Sequence, residues 1–131
     1  MIVLDTSYSA AAVFPDETTP LSLPEVLSEA LITTPMWALE TANSVRTGVL
    51  RKRFSLDQAQ KFASEFSVFE IEVVSNSQKR PLDAYLQALR FELTPYDASF
   101  VSLALARNAS LATCDQKMIS AGRALGLKIF S

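Results

Sequence analysis

The chain opens MIVLDTS, three apolar residues (Ile2, Val3, Leu4) followed at once by Asp5, Thr6 and Ser7. A short apolar run with polar residues behind it predicts a buried strand over Met1–Leu4. A short helix is expected over Tyr8–Phe14, and the Pro- and Thr-rich PDETTPLSLPE (Pro15–Glu25) predicts a loop. Leu23, Val26, Leu27, Ala30 and Leu31 recur at helical spacing and predict a helix over Pro24–Leu31, after which LITTP (Leu31–Pro35) supplies a short strand. Pro35–Arg53 predicts a long helix, with Pro35 tolerated at its start and Gly48 a weak point within it. Ser55 and Gln58 form a capping-box pattern ahead of a helix carrying Leu56, Ala59, Phe62, Ala63 and Phe66 on one face. In Val68–Val74, Phe69, Ile71 and Val73 alternate with acids and predict a strand.

Helices are further predicted over Pro81–Glu92 and over Thr94–Asn108, where Thr94 is the cap and Pro95 the first helical residue. SLATC (Ser110–Cys114) predicts a buried strand, DQKMISAGRAL (Asp115–Leu125) a helix and KIFS (Lys128–Ser131) a last strand. Helices alternating with short apolar strands define an α/β fold, a short and mainly parallel central sheet with helices on both faces. A length of 131 residues, without repeats or low-complexity tracts, predicts a single domain over 1–131.

Composition narrows the chemistry. Hydrophobic residues make up 49% of the chain and charged residues 20%, the balance of an ordinary compact protein. One cysteine, Cys114, allows no disulfide within the chain and fits a reducing compartment. No signal peptide or membrane-length apolar run is evident, so a cytoplasmic protein with no membrane partner is expected. With three glycines, the chain has neither a GxGxxG nor a GxxxxGK[ST] loop. It has no histidine at all, which removes Ser-His-Asp and Cys-His catalysis and any imidazole zinc site. What remains in quantity is carboxylates, ligands suited to hard cations. The net charge is −2; withdrawing four of the 14 acids into a site leaves about +2 on the rest, so an anionic partner stays open.

Three acids fall where this architecture places functional groups. Asp5 ends the first strand, Asp115 ends SLATC, and Asp97 lies in the first turn of the preceding helix. Ligands of open α/β sheets bind beyond the carboxyl ends of the strands. Glu40 lies one turn into the long helix, and Asn43 and Thr47 continue a polar stripe on its face. Each acid also has an ordinary structural reading. Asp97 completes a capping box with Thr94, Asp115 caps a helix, Asp5 closes an Asx turn and Glu40 is solvated. Spacing by itself leaves both readings standing, and leaves Ser7 and Thr113 as ordinary polar residues.

Three segments carry a resemblance: IVLDTS at the start, PMWALETANSV (Pro35–Val45), and LTPYDASFVSLALARNASLATCDQKM (Leu93–Met118). In order and spacing they resemble PIN-domain ribonucleases, specifically the VapC-type toxins of bacterial toxin–antitoxin systems. The last segment is the most specific, with YDA and LxTxD joined by a helix. One departure is the small, polar SYSAAA run after Thr6, where many relatives are more aliphatic. The resemblance implies a PIN-like fold. It also implies that Asp5, Glu40, Asp97 and Asp115 are the catalytic and metal-binding acids, with Ser7, Asn43 and Thr113 as supporting polar residues. It further implies Mg2+ or Mn2+ as cofactor, RNA as substrate, a small VapB-like antitoxin as partner, and a homodimer.

The physical chemistry is consistent with that implication. Two unit charges 4 Å apart cost roughly 4 kcal/mol at an effective dielectric of about 20, so clustered carboxylates need a cation or protons. A divalent ion activates water for in-line displacement at a phosphate, which predicts 5′-phosphate and 3′-hydroxyl ends. Arg46, Arg51, Lys52, Arg53 and Lys117 are candidate phosphate contacts, and those at 51–53 equally suit a solvated helix end. Leu23, Val26, Leu27, Leu31, Phe62 and Phe66 are candidates for an antitoxin groove and equally for the core. Competing readings are a metal nuclease acting on DNA, and a metal- or nucleic-acid-binding module without turnover. A phosphoacceptor receiver domain is a weaker reading, because Thr6 rather than a second acid follows Asp5. Aspartate phosphotransferases need DxDx[TV], which Ser7 breaks.

Overall fold

A computed structural model describes residues 1–75 and 80–131. Its strands are β1 (Ile2–Leu4), β2 (Leu31–Thr33), β3 (Ile71–Val73), β4 (Ser110–Ala112) and β5 (Ile129–Phe130). The helices among the described residues are α1 (Thr6–Val13), α2 (Leu23–Leu27), α3 (Met36–Leu50), α4 (Leu56–Glu65), α5 (Pro81–Phe91), α6 (Pro95–Arg107) and α7 (Gln116–Ala124). The strands form one parallel sheet in the order β3-β2-β1-β4-β5. The chain builds outward from β1 to β3, then crosses back to begin again at β4 on the other side of β1. That reversal opens a crevice between β1 and β4 at their carboxyl ends.

Side-chain alternation divides the strands between two apolar layers. Ile2, Leu4, Leu31, Ala112 and Phe130 pack on one face with Tyr8, Phe14, Phe62 and Phe66. Val3, Ile32 and Leu111 pack on the other with Phe91, Phe100, Val101 and Met118. With both faces covered, β1 and β2 are buried at every position, the mark of a central parallel strand.

The small SYSAAA run is well seated: Tyr8 is fully buried and shares a hydrogen bond with Ser22 (2.8 Å), and Ser9 accepts from Trp37 Nε1 (3.0 Å). Several expectations need correction. The first helix begins at Thr6 rather than Tyr8, because Asp5 caps it. The helix predicted over Pro24–Leu31 ends at Leu27, since Leu31 pairs with Ile2 in the sheet. The strand predicted over Val68–Val74 is shorter. Phe66–Val68 form a 3₁₀ turn, and β3 is an edge strand that leaves Val73 exposed. Of the candidate groove residues, Val26, Leu31, Phe62 and Phe66 belong to the core, whereas Leu27 is exposed.

Gly48, weak in helix propensity, has a packing reason for its place. A Cβ there would lie 2.1 Å from the Phe54 ring, which packs against Phe14 and Phe62 at centroid distances of 5.3 and 5.0 Å. Gly48→Ala is therefore expected to lower stability by about 1–3 kcal/mol, although alanine favours the helix by up to ~1 kcal/mol. Urea unfolding of the two proteins checks this, and a stabilised variant would contradict the packing account.

Candidate active site

The register that pairs Leu4 with Ala112 places the next residues of each strand, Asp5 and Thr113, side by side above the sheet. Thr113 Oγ1 donates to Asp5 Oδ2 at 2.8 Å. Ser7 gives the same oxygen a second bond from its hydroxyl and a third from its backbone N–H (3.2 Å). Ser7 Oγ in turn accepts from the Cys114 N–H (2.9 Å), and Thr113 Oγ1 from the Asp115 N–H (3.1 Å). The ends of β1 and β4 are thus tied together through one carboxylate. Asp5 is 3% exposed. Burial pushes its carboxyl above the ordinary value of 3.8, against the Ser7 and Thr113 hydrogen bonds that favour the charge.

The other three acids come from helices around the crevice. Asp115 caps α7 by accepting the Met118 N–H at 2.9 Å through Oδ1. Glu40 accepts from Thr6 Oγ1 (2.9 Å) through Oε2. Burial first, then the charges of Asp5 and Asp97, raise its carboxyl, while the Thr6 bond opposes. Thr94 caps α6 by accepting the Asp97 N–H (3.1 Å), but the reciprocal half of a capping box, from Asp97 back to the Thr94 N–H, is not formed. The Asp97 carboxyl is raised chiefly by burial and also by Asp115, with Thr94 and Lys117 pulling the other way.

All four acids line one cleft of about 590 Å³, together with Thr6, Ser7, Asn43, Ser44, Thr47 and Arg53. Thr113 lies behind it, buried, and acts on the cleft through Asp5. Among the described residues, Asp115 Oδ2 and Glu40 Oε1 accept no hydrogen bond. None of the four carboxylates enters an ion pair among the described residues. As the side chains stand, no three metal-ligating groups among the described residues close around a point. An open all-oxygen set of this kind fits Mg2+ or Mn2+, which keep several waters and take few protein carboxylates, better than an ion needing a full protein cage.

The predicted phosphate contacts divide. Arg53 reaches the cleft, but Asp16 holds its guanidinium through Nε (2.8 Å) and Nη2 (2.9 Å), and Glu17 takes a further bond at 3.2 Å. Arg46, Arg51 and Lys52 are exposed and do not line the cleft. Lys117 sits in the first turn of α7 and borders a neighbouring depression of about 690 Å³ with Arg90, Gln116 and Ser120. Sequence reasoning missed Thr6, which orients Glu40, because nothing in a linear pattern brings α1 against α3. The Asp16–Arg53 pair was equally invisible, because its partners are separated by 37 positions.

The PIN domain family model matches residues 2–124. Among solved structures, PAE2754 of Pyrobaculum aerophilum superposes with a TM-score of 0.71 at 19% identity, covering 98% of this chain and 82% of that one. The Mycobacterium tuberculosis toxin VapC20, described as cleaving the sarcin–ricin loop, gives 0.68 at 16%, covering 93% and 95%. FitAcB of Neisseria gonorrhoeae gives 0.59 at 16%, covering 100% and 97%. At these identities the likeness is one of fold. No curated protein matches by sequence.

Asp5, Glu40 and Asp97 are all held above the ordinary values of 3.8 and 4.5, so the native state binds protons more tightly than the unfolded chain. The stability they contribute is complete below those ordinary values and lost as pH rises through the raised native ones. In EDTA at pH 7.5, Asp5→Asn is expected to raise Tm by roughly 2–6 °C, and the gain should shrink on acidification. Calorimetry across pH checks this; a destabilised variant at every pH would mean that the charged carboxylate is well accommodated without a cation.

Proposed function

Since the chain belongs to the PIN-domain family, we propose that it is a Mg2+- or Mn2+-dependent endoribonuclease, the toxin of a VapBC-type pair. The observation that carries this reading is the gathering of Asp5, Glu40, Asp97 and Asp115 along one cleft at the sheet's reversal point, with no cation among the described residues paired to any of them. In this reading the four carboxylates hold the metal. Ser7 and Thr113 keep Asp5 fixed, Thr6 aims Glu40, and Asn43 offers an exposed amide to water or substrate. A divalent cation supplies a nucleophilic water and offsets charge at the phosphate, so no histidine is needed.

Outside the cleft, Lys117 at its neighbouring depression and the exposed Arg46, Arg51 and Lys52 are cations that could guide an RNA backbone. RNA as the substrate is supported by the resemblance to VapC toxins. A VapB-like antitoxin has a place to lie in the apolar depression of about 330 Å³ between α3, α4 and β3, lined by Trp37, Val45, Phe66 and Ile71. Among the described residues no helix is long and apolar enough to cross a membrane. The single thiol, Cys114, suits a reducing cytoplasm. A binding module without turnover is favoured by one observation, that no three metal-ligating groups close around a point.

Cleavage of a tRNA and rRNA pool separates these readings. Cuts that need Mg2+ or Mn2+, leave 5′-phosphates and fall at least about 100-fold in Asp97→Asn are expected. Thr113→Val, acting only through Asp5, should cost about 10–100-fold. No cutting of RNA or DNA, with Mn2+ still raising the Tm of wild type but not of Asp97→Asn, would establish the binding module instead. Cutting of DNA alone would move the substrate.

A further inference from the structure

Beside the acidic cleft lies the depression of about 690 Å³, of whose lining the proposed chemistry uses only Lys117. Helix α7 is the wall between the two. Asp115 and Met118 line the cleft, whereas Gln116, Lys117, Ser120 and Ala121 line the depression. The opposite wall is the end of α5, with Arg90, Phe91 and Glu92. A volume of this order suits one small ligand or one unit of a larger one. We propose that this depression is a nucleotide subsite selective for guanine, which holds a residue flanking the scissile phosphate of an RNA. The inference rests on the ribonuclease reading and adds to it the base that the protein selects.

The lining has the parts that such a ligand requires. Phe91, Ala121, Ala124 and Leu125 give an apolar floor. The Arg90 guanidinium lies over the Phe91 ring, 5.7 Å from its centroid, and extends that floor with a flat cationic surface on which a base can stack. For the phosphate there are two cations, since neither Arg90 nor Lys117 has an ion-pair partner among the described residues. Lys117 also stands near enough to Asp97 to favour the charge of that carboxyl, so an anion held by its ammonium lies at the edge of the acidic cleft. The last part is Glu92, an acid that a phosphate alone would not need. Its carboxylate has no ion-pair partner among the described residues, and two oxygens accept best from two adjacent donors. Of the four RNA bases only guanine sets two donors side by side on one edge, its N1–H and its N2 amino group. Adenine and cytosine place their amino group beside a ring acceptor, and uracil places its N3–H between two carbonyls. The backbone points the same way. Glu92 has a φ of 56°, in the left-handed region that glycine fills at least cost, and the C-terminal end of a helix disfavours negative charge. Local structure therefore gives this position no reason to be an acid.

Titration with each of the four nucleoside 5′-monophosphates in EDTA, followed by amide NMR shifts, reads the subsite without any turnover. GMP is expected to bind about tenfold tighter than AMP, CMP or UMP and to shift the amides of Arg90–Glu92 and Gln116–Ala121. Glu92→Gln should cancel that preference without weakening AMP. Glu92→Gly should cancel it too while raising Tm, because glycine then occupies the left-handed position. Lys117→Ala should weaken all four nucleotides. Arg90→Lys keeps the charge that suits a helix end but loses the planar face, and should weaken them about threefold. The exposed control Lys61→Ala should change nothing. Equal affinity for the four nucleotides, or a GMP preference that survives Glu92→Gln, overturns the proposal. RNA cleavage separates it from the reading it rests on. Cuts beside guanine that lose this preference in Glu92→Gln support both. A GMP preference with no cutting by wild type rejects the ribonuclease and keeps the guanine site, whereas cutting without regard to guanine rejects the subsite alone.

Discussion

One carboxylate organises the business end of this molecule. Asp5 is a buried carboxyl group at the reversal point of a parallel sheet, and Ser7 and Thr113 surround one of its oxygens with donors. Those donors come from the N-terminus of α1 and the end of β4, so the interaction that fixes Asp5 also joins the two central strands beyond their last ladder bond. Desolvation still wins over the hydrogen bonds, as the upward shift of the carboxyl shows. A cation beside such a carboxylate would offset that electrostatic cost.

The remaining acids repeat the logic with less burial. Asp115 caps α7 and Asp97 lies in the first turn of α6, where backbone N–H groups and the positive end of the dipole favour negative charge. Glu40, in the middle of no such terminus, depends on Thr6 instead. The cation that reaches this acidic crevice, Arg53, is held away from it by Asp16 and Glu17, with its guanidinium over the Phe14 and Phe54 rings. An arginine so engaged steadies the loop after α1, and among the described residues none of the four acids of the crevice has a protein counter-ion. Free positive charge lies outside the cleft, a distribution that suits an extended anionic ligand better than a small one.

Much of the scaffold was legible from pattern alone. The long helix through Glu40, the capping box at Ser55 and Gln58, and the Thr94–Pro95 start of α6 all appeared with their ends nearly in place, because caps and prolines act locally. Errors fell where tertiary pairing overrode the local signal. Leu31 fits a helical face but is taken by β2, and Phe69 alternates like a strand residue yet lies before β3. Phe62 and Phe66 fit a groove as well as a core; the Phe14 ring holds both in the core at centroid distances of 5.9 and 5.7 Å, while Phe66 also lines the depression beside α3.

By itself the sequence narrowed the chemistry. The lack of histidine excluded imidazole-based catalysis and left carboxylates in quantity, and the order and spacing of IVLDTS, ETANSV and YDA to LATCD carried the resemblance to the PIN family. These are properties of residue type and short-range order, which a linear chain displays. Tertiary structure alone decided which side chains serve the acids and which merely accompany them. Thr6 meets Glu40 across 34 positions, Thr113 meets Asp5 across 108, and Arg53 is withdrawn by Asp16. Such pairings depend on sheet order and helix packing, which bring distant residues within hydrogen-bond reach, and no periodicity along the chain encodes them.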